Sequence, residues 1–242
     1  MQYDVVIPVG GKGGQMYPLS AGMPKTLIPI GTEPLLVRIL RSLDPNVFNR
    51  ALVICNRKYK RMIESYVKAF ATKKQFGFVV DYEIVAESKE RPTDVLRRLV
   101  RDRRVTDPFL LHYGDVELHN VKWDSAYQEW NSLKGDDKII AMLFVCDKYP
   151  FPVGVVVRES KREHLVMQFI EKPEFRLFTI LANCAVAWIS KELVNKYVKR
   201  GKEGIFDQGI EDALKANEKI ALYPVDDFDH FQNVRDWLEA QG

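Results

Sequence analysis

Short apolar runs alternate with amphipathic segments over the first 146 residues of the chain. The runs of strand length cover residues 3–9, 51–55, 78–85, 109–113 and 139–146. Between the first two, Leu36, Ile39, Leu40 and Leu43 recur at helical spacing. Further helices are predicted over about 58–70 and from Thr93-Asp94, which we expect to form an N-cap. This alternation predicts an α/β fold with a mostly parallel central sheet and helices on both of its faces.

The pattern changes after residue 146, where shorter β-like pieces crowd together. These pieces cover residues 153–158, 165–170 and 180–188, and they are followed by helices near 191–199 and 207–215, a strand at 219–224 and a closing helix from about 234. Because no Ser/Gly-rich linker, repeat or low-complexity tract interrupts the chain, we predict a single domain over residues 1–242.

Composition excludes several classes of protein. The net charge of +3 is too small to indicate nucleic-acid binding, and the arginines at 97–104 flank apolar residues at helical spacing, which is typical of a solvated helix face. Cys55, Cys146 and Cys184 are far apart in apolar runs, which favours buried reduced thiols. No signal peptide or apolar run of membrane-spanning length is visible. We therefore expect a cytoplasmic protein with no nucleic-acid or membrane partner, and homo-oligomerisation stays open.

A glycine-rich segment directly follows the first predicted strand. Gly10, Gly11, Gly13 and Gly14 fall within five residues, and Lys25 lies further along the same segment. Glycines let backbone N–H groups converge on an anion such as a polyphosphate, and a lysine can add a mobile positive charge. The dinucleotide fingerprint is excluded because Met16 stands at its third glycine, and the P-loop because Val6 stands at its first. The segment therefore indicates a nucleoside triphosphate site of another kind.

A second candidate feature is the Gly114-Asp115 pair at the end of the apolar run 109–113. A carboxylate at the C-terminal edge of a strand, near a phosphate-binding loop, can hold Mg²⁺ against phosphate oxygens. The pair is also a common turn sequence, so by itself it is a weak signal.

The glycine segment resembles the signature of the sugar-1-phosphate nucleotidylyltransferases. The positions in register are Gly10, Gly11, Gly13, Pro18, Leu19, Pro24 and Lys25, and Ser20 replaces a threonine. Gly14 and Gln15 depart from the threonine and arginine of the signature. The resemblance implies a Rossmann-like nucleotide-diphospho-sugar transferase fold, with a nucleotide-binding half at about 1–120 and a sugar-phosphate acceptor half at about 121–242. The chain looks like the short members of the family that consist of a catalytic domain.

Later segments resemble the family in the same order. Glu171 and Lys172 stand in its Glu-Lys-Pro motif, and Gly154 precedes them in a Gly-Val-Val segment. Asn183 stands at the asparagine of the family's Asn-x-Gly-x-Tyr strand. The resemblance implies that these residues bind the sugar phosphate. The chain departs from the family at Ala185 and Ala187, which replace a glycine and an aromatic residue, so we expect an altered acceptor pocket.

The base-binding region and the second metal ligand leave alternatives open. Glu87 and Thr93 stand near the family's base-reading positions, although Thr93 and Asp94 would equally serve as a helix cap. Near the C-terminus the ungapped register places His230 at the position of the family's second metal carboxylate, and a shift of one residue places Asp229 there. We prefer Asp229 because Mg²⁺ favours oxygen ligands.

The implied reaction forms an NDP-sugar and pyrophosphate from an NTP and a sugar-1-phosphate, with Mg²⁺ on Asp115. Lys25, Lys172, Lys12 and Gln15 are the remaining catalytic candidates. Glutamine at position 15 lacks the permanent charge of the family's arginine, and Lys12 is expected to supply part of it. Two alternatives remain: an inactive regulatory or binding subunit on the same fold, and transfer to a non-sugar phosphate acceptor.

Overall fold

A computed structural model describes residues 2–9, 16–71, 76–85, 90–147, 155–158, 164–170, 181–201 and 204–240. The strands are β1 (Tyr3–Pro8), β2 (Pro29–Ile30), β3 (Glu33–Pro34), β4 (Phe48–Asn56), β5 (Val79–Val85), β6 (Phe109–His112), β7 (Val116–Leu118), β8 (Ala141–Cys146), β9 (Val155–Arg158), β10 (Val166–Ile170), β11 (Leu181–Ile189), β12 (Ile220–Pro224) and β13 (Phe228–His230). The helices are α1 (Leu35–Ser42), α2 (Lys60–Ala71), α3 (Pro92–Arg101), α4 (Trp123–Asp136), α5 (Lys191–Tyr197), α6 (Ile210–Lys215) and α7 (Val234–Glu239).

The central sheet is mixed and mostly parallel, as predicted. Its main strand order is β12-β8-β11-β6-β1-β4-β5, and β9 and β10 extend from the N-terminal part of β11. The pairs β1–β4, β1–β6, β4–β5 and β12–β8 are parallel, whereas β11 runs antiparallel to β6, β8 and β9. From β1 the chain builds β4 and β5 on one side and then returns to place β6 on the other side. The sheet therefore has a topological switch point between β1 and β6.

Helices cover both faces of the sheet, which confirms the predicted layering. One apolar cluster includes Leu36 and Ile39 of α1, Ile63 of α2 and Trp130 of α4. The other cluster, on the opposite face, includes residues of α3, α5 and α6. Strand residues alternate between the two clusters, with Val5 and Ile7 on the first side and Val6 on the second. The sheet is thus buried on both faces, which is typical of parallel sheets.

Five elements were not predicted, and one helix start was predicted wrongly. The unpredicted elements are α4 and the short strands β2, β3, β7 and β13. Helix α3 begins at Pro92 with Arg91 as its N-cap, so Thr93-Asp94 is not the cap. Proline suits the first helical position because its φ is fixed and its missing N–H would have no partner there. Asp94 instead lies in the first turn, where Oδ2 accepts a hydrogen bond of 3.0 Å from the Arg91 amide.

All three cysteines are buried and none forms a disulfide, in agreement with the sequence analysis. Burial raises the pKa of the Cys55 thiol to about 11, so this thiol stays protonated at neutral pH. Among the helices that the structure describes, none is long and apolar enough to cross a membrane.

Strand β11 contains a backbone irregularity at Ala185. Its pairing with β8 shifts register between Asn183 and Ala187, and Ala185 has a φ of +53°. The Ala185 amide donates to Asn183 Oδ1 at 3.2 Å, and the Ala185 carbonyl accepts a bond of 3.1 Å from the Tyr113 amide. A left-handed φ suits glycine, which explains in physical terms why the family motif has glycine at this position.

We expect Ala185→Gly to stabilise the fold by about 1 kcal/mol, because it removes the strain of a Cβ in left-handed backbone. Ala187→Gly in the same strand is the matched control. Ala187 is fully buried and regularly paired with Leu111 and Leu143, so glycine there should cost about 1 kcal/mol. Urea unfolding of both variants measures the difference. An equal loss of stability in the two variants would contradict this account of position 185.

Candidate active site

The candidate site lies at the C-terminal ends of β1 and β6. These strands are parallel neighbours, with Val5 opposite Leu110 and Val6 opposite Leu111. The chain leaves β1 through Val9 into the glycine-rich segment, and it leaves β6 through Tyr113 into Gly114 and Asp115. Ligands of open α/β sheets bind outside the carboxyl ends of strands at a switch point. The topology therefore brings the end of β1 and Asp115 to the place where such a ligand is expected.

Gly114 allows the two strand ends to approach closely. Its amide donates to the Pro8 carbonyl at 3.2 Å. A Cβ at this position would lie 2.8 Å from Val9 Cγ1, 3.0 Å from Pro8 O and 3.2 Å from Thr26 Cγ2. Contacts this short would force the backbone of β1 or the turn at Thr26 to move. The glycine in Gly-Asp therefore sets the position of Asp115 relative to the end of β1.

Lys25, Asp115 and His230 converge at this point. Lys25 begins a short 3₁₀ turn, Lys25–Leu27, and its Nζ lies 2.5 Å from Asp115 Oδ2. His230 Nε2 lies 3.8 Å from the same oxygen. The Phe231 amide donates to the Asp115 carbonyl at 2.9 Å, which ties the end of β13 to the Gly-Asp turn. Three distant parts of the sequence thus meet around one carboxylate oxygen.

The local charges keep Asp115 ionised. Burial alone would raise the pKa of Asp115, but the adjacent His230 imidazole and Lys25 ammonium hold the pKa of that carboxyl well below its usual range. His112, three residues earlier at the end of β6, is fully buried, and burial lowers its pKa to about 4. His112 is therefore neutral at physiological pH and adds no positive charge beneath the site.

Strand alternation separates Asp229 from His230. In the β7–β13 ribbon, His230 pairs with Val116 and Asp229 pairs with Glu117. Since successive side chains of a strand point to opposite faces, only one of these two residues can face Asp115. That residue is His230. Asp229 lies on the other face, where its Oδ2 is 2.9 Å from His119 Nε2.

The remaining described candidates lie apart from this convergence. Asn183 is nearly buried in β11, and its Oδ1 accepts the bond from Ala185 described above. Thr93 is nearly buried in the first turn of α3. Ten candidates lie outside the described residues, namely Gly10, Gly11, Lys12, Gly13, Gly14, Gln15, Glu87, Gly154, Glu171 and Lys172. Their roles stay predictions.

Asp115 offers a carboxylate to a divalent cation at this point. Among the residues that the structure describes, no group of three or more histidine, cysteine or acidic side chains could hold a metal ion. Mg²⁺ in phosphoryl-transfer sites is usually held by one or two carboxylates, with substrate phosphates completing the shell. Asp115 supplies one such carboxylate. The site therefore fits a cation that arrives with a phosphate ligand.

Comparison with known proteins identifies the class. Residues 4–220 match the profile of the nucleotidyl transferase family. The chain belongs to this family. The match includes Lys25, Gly114 and Asp115, whereas Asp229 and His230 lie beyond its end.

Curated relatives agree with this class. Curated relatives include the "Bifunctional protein GlmU" of Methanococcus aeolicus, 26% identical over 71% of this chain and 36% of that protein. The mannose-1-phosphate guanyltransferase of Schizosaccharomyces pombe is 26% identical over 69% of this chain and 44% of that protein. The chain thus spans less than half the length of these two relatives.

Solved structures share the fold at low identity. HddC from Yersinia pseudotuberculosis, complexed with GMP-PN, has a TM-score of 0.73 and 20% identity, and the match covers 99% of this chain and 98% of that one. UTP-bound UGPase from Acinetobacter baumannii has a TM-score of 0.75 and 13% identity, with 100% of this chain and 92% of that one covered. These matches confirm the predicted fold.

We expect Gly114→Ala to cost about 1–3 kcal/mol of stability, the range typical of overpacking a site that cannot relax freely. Gly135→Ala is the control, because no atom lies within 4 Å of a Cβ built at Gly135 in α4. Alanine there should leave stability unchanged or raise it slightly. Urea unfolding separates the two cases, and a Gly114→Ala protein as stable as the control would refute the close-packing argument.

The lowered pKa of Asp115 predicts an acid dependence of stability. A carboxyl whose pKa is lower in the folded state stabilises the fold above the pKa of a free aspartate, about 3.9. That contribution is lost as the pH falls below this value toward the folded-state pKa. We therefore expect the stability difference between wild type and Asp115→Asn to change between about pH 5 and pH 2, measured by urea unfolding. Asp147→Asn, at an exposed position, is the control, and an identical pH profile for both variants would contradict the prediction.

Proposed function

We propose that the protein transfers a nucleotidyl group from an NTP to a sugar-1-phosphate, with formation of an NDP-sugar and release of pyrophosphate. The observation that carries this proposal is the Lys25–Asp115 pair at the switch point beside the end of β1. Its position next to a glycine-rich segment, in a chain of the nucleotidyl transferase family, supports a site for a triphosphate with its cation.

In this reaction the protein mainly positions the two substrates and stabilises the negative charge of the transition state. An oxygen of the sugar phosphate attacks the α-phosphorus of the NTP, the bond from that phosphorus to the bridging oxygen breaks, and pyrophosphate leaves with the electron pair. Amides of the glycine segment 10–14 hold the phosphates, and the Lys25 ammonium offsets negative charge that develops in the transition state. Mg²⁺, held by Asp115, would supply further charge neutralisation between phosphate oxygens.

The acceptor is held by residues from the second half of the chain. Lys172 offsets the charge of the sugar phosphate as it approaches the NTP, and Glu171 and Gly154 shape the same subsite. Asn183 donates to and accepts from sugar hydroxyls. Glu87 and Thr93 contact the base. Because glutamate can only accept hydrogen bonds, base preference does not follow from the family's glutamine.

Gln15 is the departure that bears most directly on rate. An arginine at this position would bring a planar, permanent charge to the leaving pyrophosphate, and glutamine brings a neutral donor. The loss of one such contact costs on the order of 10²–10³ in rate. We propose that Lys12 supplies part of the missing charge.

The departures at Gln15 and Ala185 favour one further candidate, a regulatory or binding subunit on the same fold. Such a subunit would bind nucleotide without turnover. The substitutions at Ala185 and Ala187, relative to the family motif, are also compatible with a phosphate acceptor that is not a sugar. Both alternatives keep nucleotide binding at the switch point, so binding alone does not separate them from the enzyme.

A panel of four NTPs and common sugar-1-phosphates with a divalent cation, scored by pyrophosphate release, tests the proposal. We expect turnover with at least one pair. If no pair releases pyrophosphate while the protein still binds nucleotide, the regulatory subunit is favoured. Turnover with an alcohol phosphate alone would identify the non-sugar acceptor.

We expect Lys25→Met to lower the rate with the active pair by about 10²–10³, because it removes a charge that acts on the transition state. Lys196→Met is the matched control. Lys196 also pairs with a carboxylate, Glu192 at 2.7 Å, but on the exposed surface of α5. Steady-state kinetics of both variants measure the effect. Lys12→Ala in the same assay tests the second charge, and an unchanged rate would refute the role of Lys12.

A further inference from the structure

We propose that His230 is the second protein ligand of the cation at Asp115, and that this nitrogen–oxygen pair shifts the site from Mg²⁺ toward Mn²⁺. The inference rests on the proposed function, because the phosphate ligands that complete the cation shell belong to that reaction. The proposed ligand, His230, differs from Asp229, the residue that the sequence analysis favoured.

The distance between the two donors suits a shared cation. His230 Nε2 and Asp115 Oδ2 are 3.8 Å apart. Bonds from Zn²⁺ to imidazole nitrogen and carboxylate oxygen are about 2.0–2.2 Å, and Mg²⁺ binds oxygen at about 2.0–2.1 Å, so one small divalent ion between these atoms can contact both. Both side chains are mostly buried, with 15% of His230 and 20% of Asp115 exposed. The pair is therefore held in place and still open to a ligand.

The backbone fixes which side chain faces the cation. The β7–β13 register and the hydrogen bond from the Phe231 amide to the Asp115 carbonyl together lock the end of β13 against the Gly-Asp turn. A shift of one residue would bring Asp229 to Asp115, but it would also turn Phe228, which is 2% exposed, out of the core. Burial of this phenylalanine thus holds the register that presents His230.

The opposite face of the ribbon already uses Asp229. Its carboxylate is bonded to His119, and its cross-strand neighbour Glu117 receives hydrogen bonds of 2.9 and 2.8 Å from Arg38 Nε. Asp229 is 48% exposed. These contacts lie on the face of the ribbon that points away from Asp115.

The chemistry of the donors predicts the preference among cations. Mg²⁺ is a hard ion that favours oxygen ligands and loses its water reluctantly. Imidazole nitrogen is typical of the first-row transition metals that follow Mn²⁺, and Mn²⁺ is the member of that row that also accepts carboxylate and phosphate oxygens. A site with one carboxylate instead of two also has one negative charge fewer, and the Lys25 ammonium lies 2.5 Å from that carboxylate. Purely electrostatic attraction for Mg²⁺ is therefore weak here, and bonding to the imidazole nitrogen contributes more of the affinity.

The test uses full-length protein loaded with Mn²⁺ and inorganic pyrophosphate, which supplies phosphate ligands whatever the base. Pulsed electron paramagnetic resonance detects nitrogen bound to Mn²⁺ as a modulation of the spin echo. We expect a histidine nitrogen signal in wild type, and its replacement by a ¹⁵N pattern when histidine alone is ¹⁵N-labelled. The labelled wild type needs no substitution, so the test does not depend on a variant that folds.

Variants then assign the nitrogen. The signal should disappear in His230→Asp and persist in His119→Gln, the matched histidine on the other face of the ribbon, and in Asp229→Asn. In competition experiments, the Mg²⁺ concentration that displaces half of the Mn²⁺ should fall about tenfold or more in His230→Asp, the scale on which changes around a metal alter its affinity.

Three results would overturn the proposal: bound Mn²⁺ without a histidine nitrogen, a nitrogen signal that survives His230→Asp, or no Mn²⁺ bound with pyrophosphate. Failure of the proposed function gives a different result. A histidine signal without turnover across the substrate panel refutes the transfer reaction and leaves the ligand assignment standing. Turnover without a histidine signal refutes the ligand assignment alone.

Discussion

The close approach of β6 to the end of β1 at Gly114 is the constraint on which the site depends. Without a Cβ at this position, the Gly114 amide reaches the Pro8 carbonyl at 3.2 Å, and Asp115 follows directly at the switch point of the sheet. The position is set by the packing of two buried strands rather than by a loop. A carboxylate held in this way can receive Lys25 from one side and β13 from the other.

Electrostatics at this point follow from the same packing. Asp115 remains ionised although it is mostly buried, because the Lys25 ammonium and the His230 imidazole lie against its carboxylate. Burial keeps His112 neutral beneath them. The result is a compact pair of a carboxylate and an ammonium group near the end of β1. Such an arrangement suits a ligand that brings its own negative charges and a cation, which agrees with membership of the nucleotidyl transferase family.

Much of this could be predicted from the sequence, because long apolar runs and a specific glycine signature carry strong signals. They gave the parallel strands β1, β4, β5 and β6, the layering of helices on both faces, and Lys25 and Asp115 as candidates. The β7–β13 ribbon could not be found this way, since strands of three residues are too short to show a period. For the same reason, donor chemistry alone does not reveal which of Asp229 and His230 faces Asp115. That choice depends on strand register, which is set by the burial of Phe228.

In the proposed function, Lys25 binds the phosphates of a nucleotide at the end of β1, and Asp115 binds the cation that accompanies them. A crystal structure of the protein with a bound NTP and a divalent cation tests this most directly, through the distance from Lys25 Nζ to the nearest phosphate oxygen. The account predicts a hydrogen-bonded contact of about 2.7–3.2 Å, with Asp115 on the cation beside it. A nucleotide bound elsewhere, with Lys25 and Asp115 still paired only to each other, would contradict it.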